Sequence, residues 1–226
     1  MISTDLSSKN FLVKVITVNK NSVFNQEITD TNFLNASHLF YRINLEEKAH
    51  LKLTIILNQV QDVTLELEVD AQGDNSLIEV IFLYALSLDQ KIKVITKQIH
   101  TGIKTESKFF ARGIVKDTAQ LDHQGLILIH ENAAKTEALL EHKAIVFGSK
   151  ARVILVPSIE VLNHDVACAH GAAVGQFQEE HVWYLMSRGF NEKQAHQMLI
   201  QSFFSEFIHN FKQPEKVLER LCQKIL

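Results

Sequence analysis

The densest group of chemically capable side chains is His164, Asp165, Cys168 and His170, in the stretch NHDVACAHGAAVG. A thiolate beside an imidazole can ligate iron or zinc, or act as a nucleophile with its base. In an extended segment, Cys168 and His170 share one face, while Asp165 points the other way unless a bulge intervenes. Two ligands are half of a four-ligand site, so a complete one draws the rest from a second copy or another subunit and lies at an interface. A plainer reading is equally open: an unpaired cysteine is commonly a small buried hydrophobe, and a lone histidine a satisfied polar group. The other histidines, among them His123, His130, His142, His181, His196 and His209, show no helical pairing and no HExxH context, and read mostly as surface residues.

Nothing else in the chain supplies a reaction centre. There is no phosphate-binding P-loop, no GxGxxG and no GxSxG, and no convincing inward pair of carboxylates of the kind that cleaves sugars, so no catalytic residue is assigned. A formal charge of −3, with Lys and Arg scattered, gives no footprint for nucleic acid or an anionic membrane. Cys168 and Cys222, the only two cysteines in 226 residues, fit no zinc spacing and suit a reducing compartment. The N-terminus lacks a secretory pattern and Glu79 interrupts the most apolar run, so a soluble cytoplasmic protein without a transmembrane segment is expected.

What positions the cluster is a long series of short segments rich in Val, Ile, Leu, Thr and Phe. Alternation is plain at Leu51, Leu53, Ile55 and Leu57, and at Val63, Leu65, Leu67 and Val69, with one face buried and one wet. Leu77 to Leu88, Leu126 to Ile129 and Ala151 to Val156 are apolar on both faces, as strands covered on both sides would be. Segment starts near His50, Asp62, Asn75, Lys91, Ser107, Ala119, Lys135 and Ala151 recur at roughly a dozen to sixteen residues. Two segments per turn would make a coil of β-strands, and an antiparallel sandwich has the same strand count. The absence of any Asn-Gly or Asp-Gly pair weakens the sandwich, which usually relies on tight hairpins.

After Gly175 the pattern turns helical. Val182, Leu185 and Met186 line one face of a first helix that Gly189 can cap, Asn191 with Gln194 forms a capping box for a second, and Pro214 opens a third. This divides the chain into a strand region, 1–175, and a helical region, 176–226. On the second helix Ile200, Phe204, Phe207, Ile208 and Phe211 line a direction distinct from that of Ala195, Leu199 and Phe203. That is more apolar surface than one contact face needs, and either a partner or the third helix covers the surplus.

The run from Pro157 to Phe203 resembles the C-terminal signature of the SufB/SufD family, whose SufD branch reads similarly to P-x-L-E-I-x-x-D-D-V-x-C-x-H-G-A-T-V-G followed by F-Y-L-x-S-R-G-I. Pro157, Glu160, Asp165, Val166, Cys168, His170, Gly171, Ala172, Val174, Gly175, Tyr184, Leu185, Ser187, Arg188 and Gly189 fall in register without a gap. The resemblance implies a right-handed parallel β-helix followed by a small helical domain. It also implies a non-catalytic scaffold in iron-sulfur cluster assembly, pairing through its β-helix with a SufB-like subunit or a second copy of itself. Its C-terminal helices would dock a SufC-like ABC ATPase. By position His170, with Cys168 beside it, would meet iron or a nascent, transient cluster at the interface, and a flavin is conceivable only at the level of the complex. Phe204 stands where the SufB branch carries its cluster-forming cysteine, Asn163 and His164 replace a small and an acidic residue, and the family's N-terminal helical region has no counterpart here. A shortened module that binds the ATPase without ligating a cluster is the alternative implied.

Overall fold

A computed structural model describes residues 2–8, 10–34 and 36–226, with side chains from residue 10 onward. Among the described residues, the period-two segments become β1 (Ile2–Ser8), β2 (Phe11–Val18), β3 (Val23–Ile28), β4 (His38–Leu45), β5 (His50–Leu57), β6 (Val63–Ala71), β7 (Leu77–Leu86), β8 (Lys91–His100), β9 (Glu106–Lys116), β10 (Gln120–Ile129), β11 (Thr136–Phe147), β12 (Arg152–Val161) and β13 (Val166–Gly175). Three helices follow, α1 (Glu179–Ser187), α2 (Glu192–Ile208) and α3 (Pro214–Ile225).

Successive strands do not pair; alternate ones do. Even-numbered strands β2 to β12 form one parallel sheet, which β1 extends antiparallel at its edge, and odd-numbered strands β3 to β13 form the other. The chain is therefore a parallel β-helix, and the solenoid expectation holds over the sandwich. Phe11 pairs with His38 near one end and Gln120 with Arg152 near the other, so the coils lengthen along the chain.

Each corner is turned by a left-handed residue instead of a hairpin. Asn21, Lys48, Asn75, Lys104 and Lys135 occupy one corner and Asp62, Leu88, Asp117 and Gly148 the other. At the first corner the left-handed residue donates its N–H to the next coil: Lys48 to the Asp74 carbonyl (2.8 Å), Asn75 to Ile103 (2.9 Å) and Lys104 to Ala134 (2.8 Å). Buried corner polar groups are thus satisfied coil to coil, which removes any need for Asn-Gly turns.

The solenoid interior is a continuous apolar cluster running from Ile16 to Ala144. A second cluster lies outside the β3-to-β13 sheet, where Ile56, Leu83, Ala85 and Ile114 meet Ile200, Phe204, Phe207, Phe211, Val217, Leu221 and Ile225 of the helices. This explains why β7 is apolar on both faces. The helices begin and end as their capping signals indicate: Asn191 accepts from the Gln194 N–H (2.9 Å), Pro214 opens α3, and Gly189 takes φ of 97°.

The same cluster corrects one expectation. Ile200, Phe204, Phe207 and Phe211 are buried within the chain and Ile208 is half-buried, so this face of α2 is closed to a partner by the sheet and α3. The surplus surface implied by the sequence is consumed by a sandwiched helix, apolar on two sides because it packs on two sides.

Candidate functional site

β13 is the last strand of its sheet, hydrogen bonded to β11 and to nothing beyond. Within that register Cys168 pairs with Ala138 and His170 with Leu140, both inward-facing core positions, so both side chains point along the solenoid's interior side. Cys168 is half-buried and packs on the core; His170 is exposed because no further coil covers it. The predicted shared face is present, at the open rim of the β-helix. His164 and Asp165 lie at the turn before β13, both exposed. Asn163 closes that turn: its side chain accepts from the Asp165 N–H (2.8 Å) and donates to the Glu131 carbonyl. The departure at Asn163 thus serves the turn, and His164 stays outside the rim pair. No three His, Cys, Asp or Glu side chains converge on one point among the described residues.

The rim is apolar as well as open. Ile154, Val156, Val161, Leu162 and Val174 are exposed on or beside β12 and β13. Sequence patterning anticipates a cover on both faces of Ala151 to Val156, yet the chain provides none over Ile154 and Val156. A second exposed apolar group lies on α1 and the turn after it: Trp183 (61% exposed), Tyr184 (58%), Met186 and Phe190, with the Arg188 guanidinium 5.2 Å from the Tyr184 ring.

One coil beneath the rim, the interior is unexpectedly polar. Tyr84 Oη lies 2.8 Å from His142 Nε2, His142 Nδ1 lies 2.7 Å from His123 Nδ1, and His123 Nε2 lies 3.0 Å from Thr96 Oγ1. Facing Nδ1 atoms require one protonated and one bare nitrogen. If His123 donated to His142, His142 Nε2 would carry a proton too and the phenol would have to accept, leaving its own proton without a partner among the described residues. The chain therefore runs from the Tyr84 hydroxyl to His142, from His142 to His123, and from His123 to Thr96. A separate cluster holds His100 between Thr105 (2.7 Å) and Ser107 (2.8 Å).

Burial sets the charge state of these rings. Desolvation lowers His100 and His123 to a pKa of about 4, and it lowers His142 well below the ordinary value, helped by His123 and Arg112 nearby. All three are neutral at pH 7. Burial likewise raises the Tyr84 phenol well above its ordinary value. Reading the uncommitted histidines as surface residues is thus corrected for His123 and His142, which are buried; His130 and His196 are half-buried, and His181 and His209 are exposed. The signal was period two: His123 and His142 share the inward parity of Leu121, Ile127 and Leu140, and glycines accompany them. A Cβ at Gly113 would come within 1.9 Å of the Tyr84 ring, and one at Gly125 within 2.5 Å of Leu140.

Comparison with known proteins agrees with this architecture. Residues 6–203 match the family model described as SUF system FeS cluster assembly, SufBD core domain. The iron-sulfur cluster assembly protein SufD of Escherichia coli is 30% identical over 156 residues, which are 68% of this chain and 37% of that protein. SufD of Bacillus subtilis is 30% identical over 131 residues, 55% of this chain and 30% of the relative, and SufB of the same organism is 28% identical over 111 residues, 49% and 24%. The chain thus spans well under half the length of these relatives. A family match over most of a chain that folds as a two-sheet parallel solenoid places it plainly: the chain belongs to the SufB/SufD family of the SUF iron-sulfur cluster assembly system.

Proposed function

We propose that the chain is a non-catalytic, SufD-like scaffold subunit that pairs through the open end of its β-helix and presents Cys168 and His170 to iron or a nascent cluster at that junction. The observation that carries this reading is the uncovered last coil, where the two candidate ligands and an apolar edge occupy one surface. An unpaired strand edge is a template for another chain, and soluble proteins rarely leave one long, apolar and uncovered. Two ligands from one rim leave the remaining positions to the partner, a SufB-like subunit or a second copy. The cluster is cargo, formed and released there, and any flavin belongs to the complex. A cytoplasmic location fits, and among the described residues no helix is long and apolar enough to cross a membrane.

A SufC-like ATPase would supply the energy. With the inner face of α2 buried, the docking surface passes to the exposed side of the helical region, where Trp183, Tyr184, Met186 and Phe190 stand in solvent. Large aromatics with an adjacent arginine are the residue types that anchor interfaces. The alternative, a shortened module that binds the ATPase without holding a cluster, is favoured by one observation: Cys168 packs on the core as a small hydrophobe would.

Co-expression with a SufB-like subunit and a SufC-like ATPase, followed by anaerobic purification, tests the assembly. Val174→Glu, which charges the rim, should release the paired subunit while retaining the ATPase, and Trp183→Glu should do the reverse. If the paired subunit stays bound to the Val174→Glu variant, the rim is not the junction.

A further inference from the structure

Three polar ties hold the helices to the solenoid, and they lead to different places. Arg220 on α3 donates to the Asp30 carboxylate (3.1 Å) and the Asn58 side chain (3.0 Å), and Asp30 itself accepts the N–H groups of Asn58, Gln59 and Val60 at the β5–β6 turn. Lys116 donates to the Ile225 carbonyl at the end of α3 (2.7 Å). The third tie is Arg112 on β9, only 3% exposed. Its guanidinium pairs with Glu141 on β11 and with Glu206 on α2 (3.2 Å), and lies 4.9 Å from the centre of the Phe207 ring.

Arg112 thus binds one strand and one helix at once. A buried guanidinium stripped of a carboxylate is strongly disfavoured, so displacement of α2 either carries Arg112 along or breaks a contact that resists breaking. Its other partner, Glu141, sits opposite Gly171 of β13, between Leu140, which faces His170, and His142, which faces Ala172. On the inner side His142 is fixed by Tyr84 and His123. Residues 140–142 are therefore gripped from both faces of the sheet directly under the rim.

We propose that Arg112 is a positioning residue for the rim, the link by which displacement of α2 shifts β11 and, through it, the β13 edge carrying Cys168 and His170. Its functional meaning rests on the reading of that rim as the cluster junction. The link itself is a property of the chain alone, since it requires only the Glu206–Arg112–Glu141 connection and the β11–β13 ladder.

Hydrogen–deuterium exchange on the intact chain, without iron or partners, tests it. Glu206→Gln removes an exposed carboxylate and should leave the fold intact. Amides of residues 139–142 and 168–172 should then exchange about two- to fivefold faster, as expected for loosening one partly exposed ion pair. Arg112→Lys keeps the charge but cannot span both carboxylates, and should shift the same amides in the same direction. Arg220→Gln should accelerate exchange near Asp30 and Asn58–Val60 and leave β13 unchanged. Unchanged exchange at β11 and β13 in Glu206→Gln, or an equal effect there from Arg220→Gln, would overturn the link. Because no cluster or ATPase takes part, neither result depends on whether the rim assembles clusters.

Discussion

Acidification should weaken this fold at a pH where its carboxylates are still ionised, because three histidines are locked neutral inside it. The folded pKa of His100 and of His123 is about 4, against 6.5 for an ordinary histidine. Between those values the unfolded chain binds protons that the folded chain refuses, so stability is fully present above pH 6.5 and is lost as pH falls toward 4. At pH 5 each of the two rings costs about 2 kcal/mol relative to pH 7.5, or about 4 kcal/mol together. His142, lowered further and hydrogen bonded to His123, takes part in the same loss. Glu47 and Glu141, whose folded pKa values are lowered, act in the same direction only below about pH 4.5, outside this window. A loss of this size is a large share of the stability of an ordinary domain. Urea unfolding followed by far-ultraviolet circular dichroism at pH 7.5 and 5.0 measures it. His100→Asn, which cannot titrate, should narrow the difference between the two pH values by about 2 kcal/mol whatever its cost at neutral pH. A wild-type difference below about 1 kcal/mol, or a His100→Asn variant that keeps the full difference, would refute the account of the buried rings.

Two further outcomes follow from close contacts and strain. Gly113→Ala drives a methyl group into the fully buried Tyr84 ring and should destabilise by about 1–3 kcal/mol, with loss of the Tyr84–His142 hydrogen bond visible as a shift of the imidazole resonances. Leu88 holds φ of 59° at a corner while 65% exposed, so Leu88→Asn should stabilise by about 1 kcal/mol in chemical denaturation.

The sequence announces the solenoid through alternation and through what it lacks. Val63 to Asp70 alternates cleanly, and the missing Asn-Gly pairs signal corners of another kind, which prove to be left-handed Lys, Asn, Asp and Leu residues bonded to the next coil. Cys168 and His170 were placed on a shared face by spacing alone, because i and i+2 in a strand have no other choice. The destination of the helical apolar surface was not legible: residues such as Phe204 and Phe207 read alike whether they meet a partner or the back of one's own sheet, and only the long-range contact with Leu83 and Ile114 decides. The buried histidines were missed for a related reason. His123 and His142 are 19 residues apart and meet only because β10 and β11 face each other across the interior.

The central claim is that the rim of the last coil is where cluster chemistry happens, with His170 as this chain's ligand. Anaerobic reconstitution with iron, a sulfide donor, a SufB-like subunit and a SufC-like ATPase, followed by visible absorption and bound-iron analysis, measures it directly. The account predicts that His170→Ala assembles a normal complex, with unchanged circular dichroism and partner content, and builds no cluster. Cluster formation at the wild-type level in His170→Ala would contradict it.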